Sequence, residues 1–197
     1  MLFRSVVDEA QDFMASWWET LDLALLLPGE GKMALFGDDQ QKLFGRRKGP
    51  KGFFAKFNLD DNIRNSRQIG DLARKFTDRG MTIRGPNSFE IEYIECEENE
   101  VISKADDVIE KMTDDEYWQP GEIALLTTKD RHPVHAEFTS KQRDEYWQQF
   151  WVGDSVFYGT VGGFKGLERP VVILALNGFH NAEDLDDFLY VGFTRAR

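Results

Sequence analysis

Two apolar runs set the limits on the fold. "EIALLTT" at 122–128 and "VVILAL" at 171–176 place apolar side chains at consecutive positions, so both faces of each strand suit burial. Such strands belong to parallel sheets covered by helices. Further β-rich runs predict strands at 4–7, 32–36, 89–95 and 155–161. Between them lie helical stripes. Trp17, Leu21, Ala24 and Leu25 share one face; Ile69, Leu72, Ala73 and Phe76 share another, after a capping Asn65 or Ser66. A third stripe is Ala105, Val108, Ile109 and Met112, a fourth holds Tyr146 and Phe150, and a fifth holds Leu185, Phe188, Leu189 and Gly192. Strand and helix alternate, which predicts an α/β fold with a parallel sheet flanked by helices.

Composition narrows the function. At 197 residues, 41% hydrophobic and 13% aromatic, the chain can bury a core of one domain, or of one domain plus part of another. A net charge of -11 excludes a protein that coats nucleic acid through bulk positive charge. A local track remains available: "GRRKGPKGFFAKF" at 45–57 gathers basic residues with glycines and a proline, and reads as a linker. The single Cys96 excludes an intramolecular disulfide and fits a reducing compartment. The apolar stretch Leu21 to Leu27 contains Asp22 and stops at Pro28, so no membrane span is expected. Asp8 and Glu9 interrupt the apolar start in a way a signal peptide does not, and a cytoplasmic protein is expected.

The chemistry concentrates at two strand ends. In "VVDEAQD" the apolar run stops at Asp8 and Glu9, at the edge where α/β sheets bind ligands. An Asp there can hold a magnesium ion while an adjacent Glu deprotonates a water, although acids also start helices. In "MALFGDDQQKLF" a second strand ends in Gly-Asp-Asp followed by amides. Asp38 and Gln41 can sense a phosphate or an attacking water, or simply form a polar turn.

These residues carry a resemblance. "VVDEAQDF" resembles motif II of superfamily 1 helicases of the UvrD/Rep type, and "FGDDQQKLF" resembles motif III. "LDDNIRNSRQI" resembles motif IV, "GTVGGFKGLERPVVIL" motif V and "DDFLYVGFTRAR" motif VI. The five follow one another in family order. The resemblance implies a RecA-like P-loop NTPase fold in two lobes, with ATP and Mg2+ between them and single-stranded DNA, or RNA, across them. Residues 1–45 would be a remnant of the first lobe, 46–56 a basic linker and 57–197 the second lobe.

Roles follow by position in the motifs. Asp8 would hold the metal, Glu9 would activate water, and Gln11, Asp38 and Gln41 would sense the nucleotide phosphates. Arg64 and Arg195 would be arginine fingers, whose planar, permanently charged forks stabilise charge on the transferring phosphoryl group. Glu168 would contact the ribose, and Thr160, Lys165 and Gly166 would line motif V on the nucleic-acid or phosphate side. Arg46 and Arg47 would face the strand.

Several positions depart from the family pattern. Ile63 stands where an aromatic usually stacks on adenine, and Gly162 where motif V usually has a histidine. Arg46 replaces a DNA-stacking aromatic, a task Phe44 could take over. The phosphate loop G-x-x-x-x-G-K-[ST] is missing, since "LLLPGEGKM" offers Leu26 and Met33 at the first glycine and hydroxyl positions. In the family that loop precedes motif II, so the chain is expected to be the C-terminal part of a longer helicase and inactive alone. A non-catalytic module with relic motifs and the engine of a nuclease-helicase fusion are the alternatives. His132 and His135, split by Pro133, are expected in a surface loop, the five tryptophans in packing, and "ECEENE" in a solvated turn.

Overall fold

The computed structural model describes residues 4–24, 32–38, 41, 57–77, 80–114, 118–136, 138–181 and 185–197. They belong to two compact units, 1–59 and 60–197. Every strand ladder among the described residues is parallel and helices flank the sheets, so the chain is a mixed α/β protein. No described helix is long and apolar enough to cross a membrane.

The first unit pairs β1 (Arg4–Val7) with β2 (Lys32–Leu35), in register Val7 to Leu35. A one-turn 3-10 helix, Ala10–Asp12, and α1 (Ala15–Ala24) follow β1. Among its described residues Val7 and Trp18 are the buried apolar side chains, and the Phe13 ring lies 5.0 Å from that of Trp18. Leu25, the last member of the expected stripe, lies outside the described residues.

In the second unit β5 (Ile123–Thr127) lies between β6 (Phe157–Thr160) and β7 (Val171–Ala175). All five β5 residues are buried, as its unbroken apolar run requires. β7 is only half-buried except at Ala175, because it lies at the edge of this sheet. The helix α3 (Val101–Asp114) lays Ala105 and Ile109 on Ile123, Leu125 and Ala175 to form the core. Opposite chain ends are well defined in α4 (Ser140–Val152), where Thr139 and Gln142 make a reciprocal capping box and Gly153 terminates the helix. Its Tyr146 and Phe150 rings pack on Phe157 of β6, at 5.2 and 5.1 Å.

A smaller ladder joins β3 (Asp61–Asn62) to β4 (Thr82–Ile83) beside α2 (Arg67–Ala73) and α5 (Leu185–Phe193). Ser66, not Asn65, caps α2: its hydroxyl accepts from the Ile69 N–H at 3.4 Å.

Several expectations change. Residues 89–95 form no strand, and Phe89, Tyr93 and Ile94 are exposed, because β propensity yields a strand only where a neighbouring edge is available to pair with. The acids of "ECEENE" are exposed in a turn, as expected: it is a 3-10 turn, Glu98–Glu100, with a Glu97/Glu100 capping box leading into α3, where the helix dipole favours negative charge. His132 is buried, not at the surface. Its Nδ1 accepts from the Val134 N–H at 3.2 Å and its Nε2 faces Asp106 Oδ2 at 3.2 Å, so both ring nitrogens are used structurally. Among the tryptophans Trp18 is buried, whereas Trp151 stands 76% exposed on α4.

Candidate functional site

The acids and amides of the first unit are joined into one chain of hydrogen bonds. Asp8 follows the last residue of β1 and is exposed; its Oδ1 accepts from the Glu9 N–H at 2.9 Å. Glu9 turns into the left-handed region, φ 50, the one non-glycine residue with positive φ among those described. Such a conformation stores strain and is typical of ligand-binding turns. The turn aims the Glu9 carboxylate back at Gln11, whose Nε2 donates to Oε2 at 2.5 Å. Gln11 in turn accepts the Asp38 N–H on Oε1 at 3.0 Å, and Asp38 Oδ2 accepts from Gln41 Nε2 at 3.0 Å. Backbone bonds brace the same edge, Phe36 N–H to the Val7 carbonyl and Ala10 N–H to the Phe36 carbonyl, both 2.8 Å.

Gly37 permits this arrangement. A Cβ there would lie 2.8 Å from Gln11 Oε1, so any side chain would displace the oxygen that holds Asp38. The sequence signal was present in "FGDD", but only as turn chemistry.

Exposed carboxylates beside side-chain amides can, as chemistry, ligate a divalent cation or polarise a water. A solvent-facing carboxylate is the kind of single protein ligand magnesium takes when phosphates fill most of its shell. Asp8 fits that role, and Glu9, oriented by Gln11, fits a general base. Among the described residues no group of three or more metal-ligating side chains is found.

The second unit collects cationic side chains around one carboxylate. Arg64 follows β3, and its Nε lies 3.2 Å from Glu168 Oε2. Arg197 pairs with Oε1 of the same Glu168. Glu168 therefore sits between two guanidinium groups, each on a half-exposed side chain. Arg195 differs from both. It is 1% exposed, with Nε donating to the Val191 carbonyl at 3.1 Å and NH2 to Thr194 Oγ1 at 3.2 Å.

The segment after β6 is a tight turn anchored by two fully buried side chains, Val161 and Phe164. Thr160, the last residue of β6, accepts the Gly163 N–H on its hydroxyl at 3.1 Å and the Phe164 N–H on its carbonyl at 2.9 Å. Lys165 is half-buried and Gly166 has φ 81. Beyond Glu168, the Arg169 N–H donates to the Arg195 carbonyl at 3.1 Å, which ties this segment to the chain end. The Arg169 guanidinium lies 3.9 Å over the Phe150 ring and donates to the Phe150 carbonyl at 2.6 Å; burial pushes its pKa down.

The structure thus brings together Glu9, Gln11, Asp38 and Gln41 in one unit, and Arg64, Glu168 and Arg195 in the other. Ile63 is 72% exposed beside Arg64, and Gly162 has open space where a side chain would project. Arg46, Arg47 and Phe44 lie outside the described residues. Sequence reasoning passed over Arg197, which bears the same motif VI arginine signal as Arg195, and over Asn62, whose side chain accepts from the Asn65 N–H at 3.2 Å. Compared with protein-family models and with curated proteins, the chain finds no match.

Proposed function

We propose that this chain is part of an ATP-dependent helicase or translocase of superfamily 1, coupling Mg-ATP hydrolysis to movement along single-stranded DNA. Its second unit would be a RecA-like lobe and its first unit part of another. One observation carries this proposal most directly. Segments resembling motifs IV, V and VI, far apart in the chain, converge on Glu168, which pairs with both Arg64 and Arg197. The continuous bonding from Glu9 to Gln41 gives the same kind of support for motifs II and III.

The bound magnesium ion would neutralise phosphate charge. Asp8 would ligate it, and Glu9 would take the proton of the attacking water while Gln11 fixes its carboxylate. Gln41, held by Asp38, would read the phosphate end of the nucleotide. Arg64 would shift from Glu168 to the phosphoryl group, since a multiply charged phosphate attracts a guanidinium more strongly than one carboxylate does. Hydrolysis also needs a phosphate loop, which these 197 residues do not contain. The 197 residues alone are therefore expected to turn over no ATP.

A non-catalytic, relic module is the second possibility, favoured by the burial of Arg195 and by the hydrogen bonds its guanidinium makes within unit 2. Arg195→Ala decides between the two. In a chain that joins these residues to their phosphate loop, the motor predicts a fall in kcat of about 10³-fold or more. An unchanged rate would favour the relic.

A further inference from the structure

We infer that Asn65 is a positioning residue that sets the two candidate fingers, Arg64 and Arg195, in register with one another; this rests on the motor function proposed above. Asn65 directly follows Arg64 and is 2% exposed. Its Nδ2 donates to the Thr194 carbonyl at 3.2 Å and to the Ala196 carbonyl at 2.6 Å, the residues on either side of Arg195. Its Oδ1 accepts from Asn62 Nδ2 at 3.0 Å. Both amide protons and the amide oxygen are thus committed, and two carbonyl acceptors fix which way the amide points.

The backbone is equally constrained. A Cβ on Gly85 would lie 1.7 Å from the Asn65 carbonyl oxygen, so Gly85 lets that peptide approach where no side chain could. Asn65 is therefore held from two sides, by Gly85 behind and by Asn62 beside it. The consequence is geometric. The first finger is one peptide away from a side chain that grips the second finger's own peptide on both flanks. A displacement of a finger by about 1 Å is enough to cost a large part of its effect.

Few side chains can do this. A carboxylate accepts only and would face two carbonyl oxygens, and a serine hydroxyl has one proton and a shorter reach.

The test uses N65D and N65S in the chain joined to its phosphate loop. N65D should lower kcat at least tenfold and leave the KM for ATP within about twofold, with N65S between N65D and wild type. N65D combined with R195A should fall no further than R195A alone, within about threefold. A folded N65D with an unchanged kcat, or losses that multiply, would overturn the inference. If N65D does not fold, N65S decides in the same way.

A second readout needs no ATP. In the 197-residue chain, the Arg195 Nε–H NMR resonance should move in N65D or N65S, whereas that of Arg74, paired with Asp71 on α2, should not. A wild-type chain without ATPase activity would defeat the motor function, and the Arg195 resonance would still decide the register. An unmoved resonance overturns the inference whatever the ATPase result.

Discussion

The two units build their candidate sites in opposite ways. In the first, five polar residues between positions 8 and 41 are linked by a chain of hydrogen bonds at the ends of two adjacent strands, and among the described residues of that unit the buried apolar side chains are Val7 and Trp18. In the second, residues 64, 168 and 195 are far apart in sequence, and Asn65 reaches across 129 and 131 positions to the backbone around Arg195 while Glu168 pairs with Arg64. A site of side-chain bonds can be adjusted by small side-chain shifts. One stitched through buried backbone responds as a unit, because buried polar networks are costly to leave partly satisfied.

The largest expected effect lies in the first unit and is chemical. Glu9→Gln, in the chain joined to a phosphate loop, keeps the hydrogen-bonding shape but removes the base. Single-turnover kinetics should show hydrolysis reduced by about 10²–10⁴-fold with nucleotide binding retained. Loss of binding instead would give Glu9 a structural role.

Two glycines sharpen the contrast in stability. Gly85→Ala drives a Cβ into the Asn65 backbone, which cannot yield without moving the arginine cluster, and should destabilise unit 2 by about 1–3 kcal/mol. At Gly37 the close contact of a Cβ is with the Gln11 side-chain oxygen, at 2.8 Å, while the Gln11 backbone N and Ala10 Cβ lie at ordinary contact distance. Gly37→Ala should cost unit 1 about 1 kcal/mol, the worth of one hydrogen bond. Peptide-resolved hydrogen exchange in urea separates the units, and equal losses would erase the distinction between them.

The smallest effect is a pH dependence confined to unit 2. Burial holds His135 below the ordinary imidazole value of 6.5; its Nε2 donates to the Tyr158 carbonyl at 2.9 Å and its buried Nδ1 has no hydrogen-bond partner. A depressed folded pKa means that the unfolded chain binds more protons. The associated stability is therefore fully present above pH 6.5 and is lost as pH falls through the folded value. His135→Gln should flatten the melting temperature of unit 2 between pH 7.5 and 5 relative to wild type, and an unaltered slope would remove His135 from the account.

The same division governs what the sequence revealed. β5 and α3 were legible because an unbroken apolar run and a 3.6-residue stripe each have one stable partner, the other. Segment 89–95 misled because its alternation states a propensity, while pairing depends on an edge elsewhere. The two-residue strands β3 and β4 are too short to leave a pattern. Asp8, Glu9 and Gln11 could be picked out because they lie together in one short stretch at a strand end. Asn65 read only as a helix cap, and the burial of Arg195 went unread, because burial and a partner about 130 residues away leave no local trace.

The central claim is that these residues belong to a nucleotide-driven motor. Single-strand-stimulated ATP turnover, measured for the chain joined to its phosphate loop and for its Glu9→Gln and Arg195→Ala variants, tests it most directly. The motor account predicts turnover that rises with single-stranded DNA and collapses in both variants. Turnover that ignores the strand, or survives both substitutions, would contradict it.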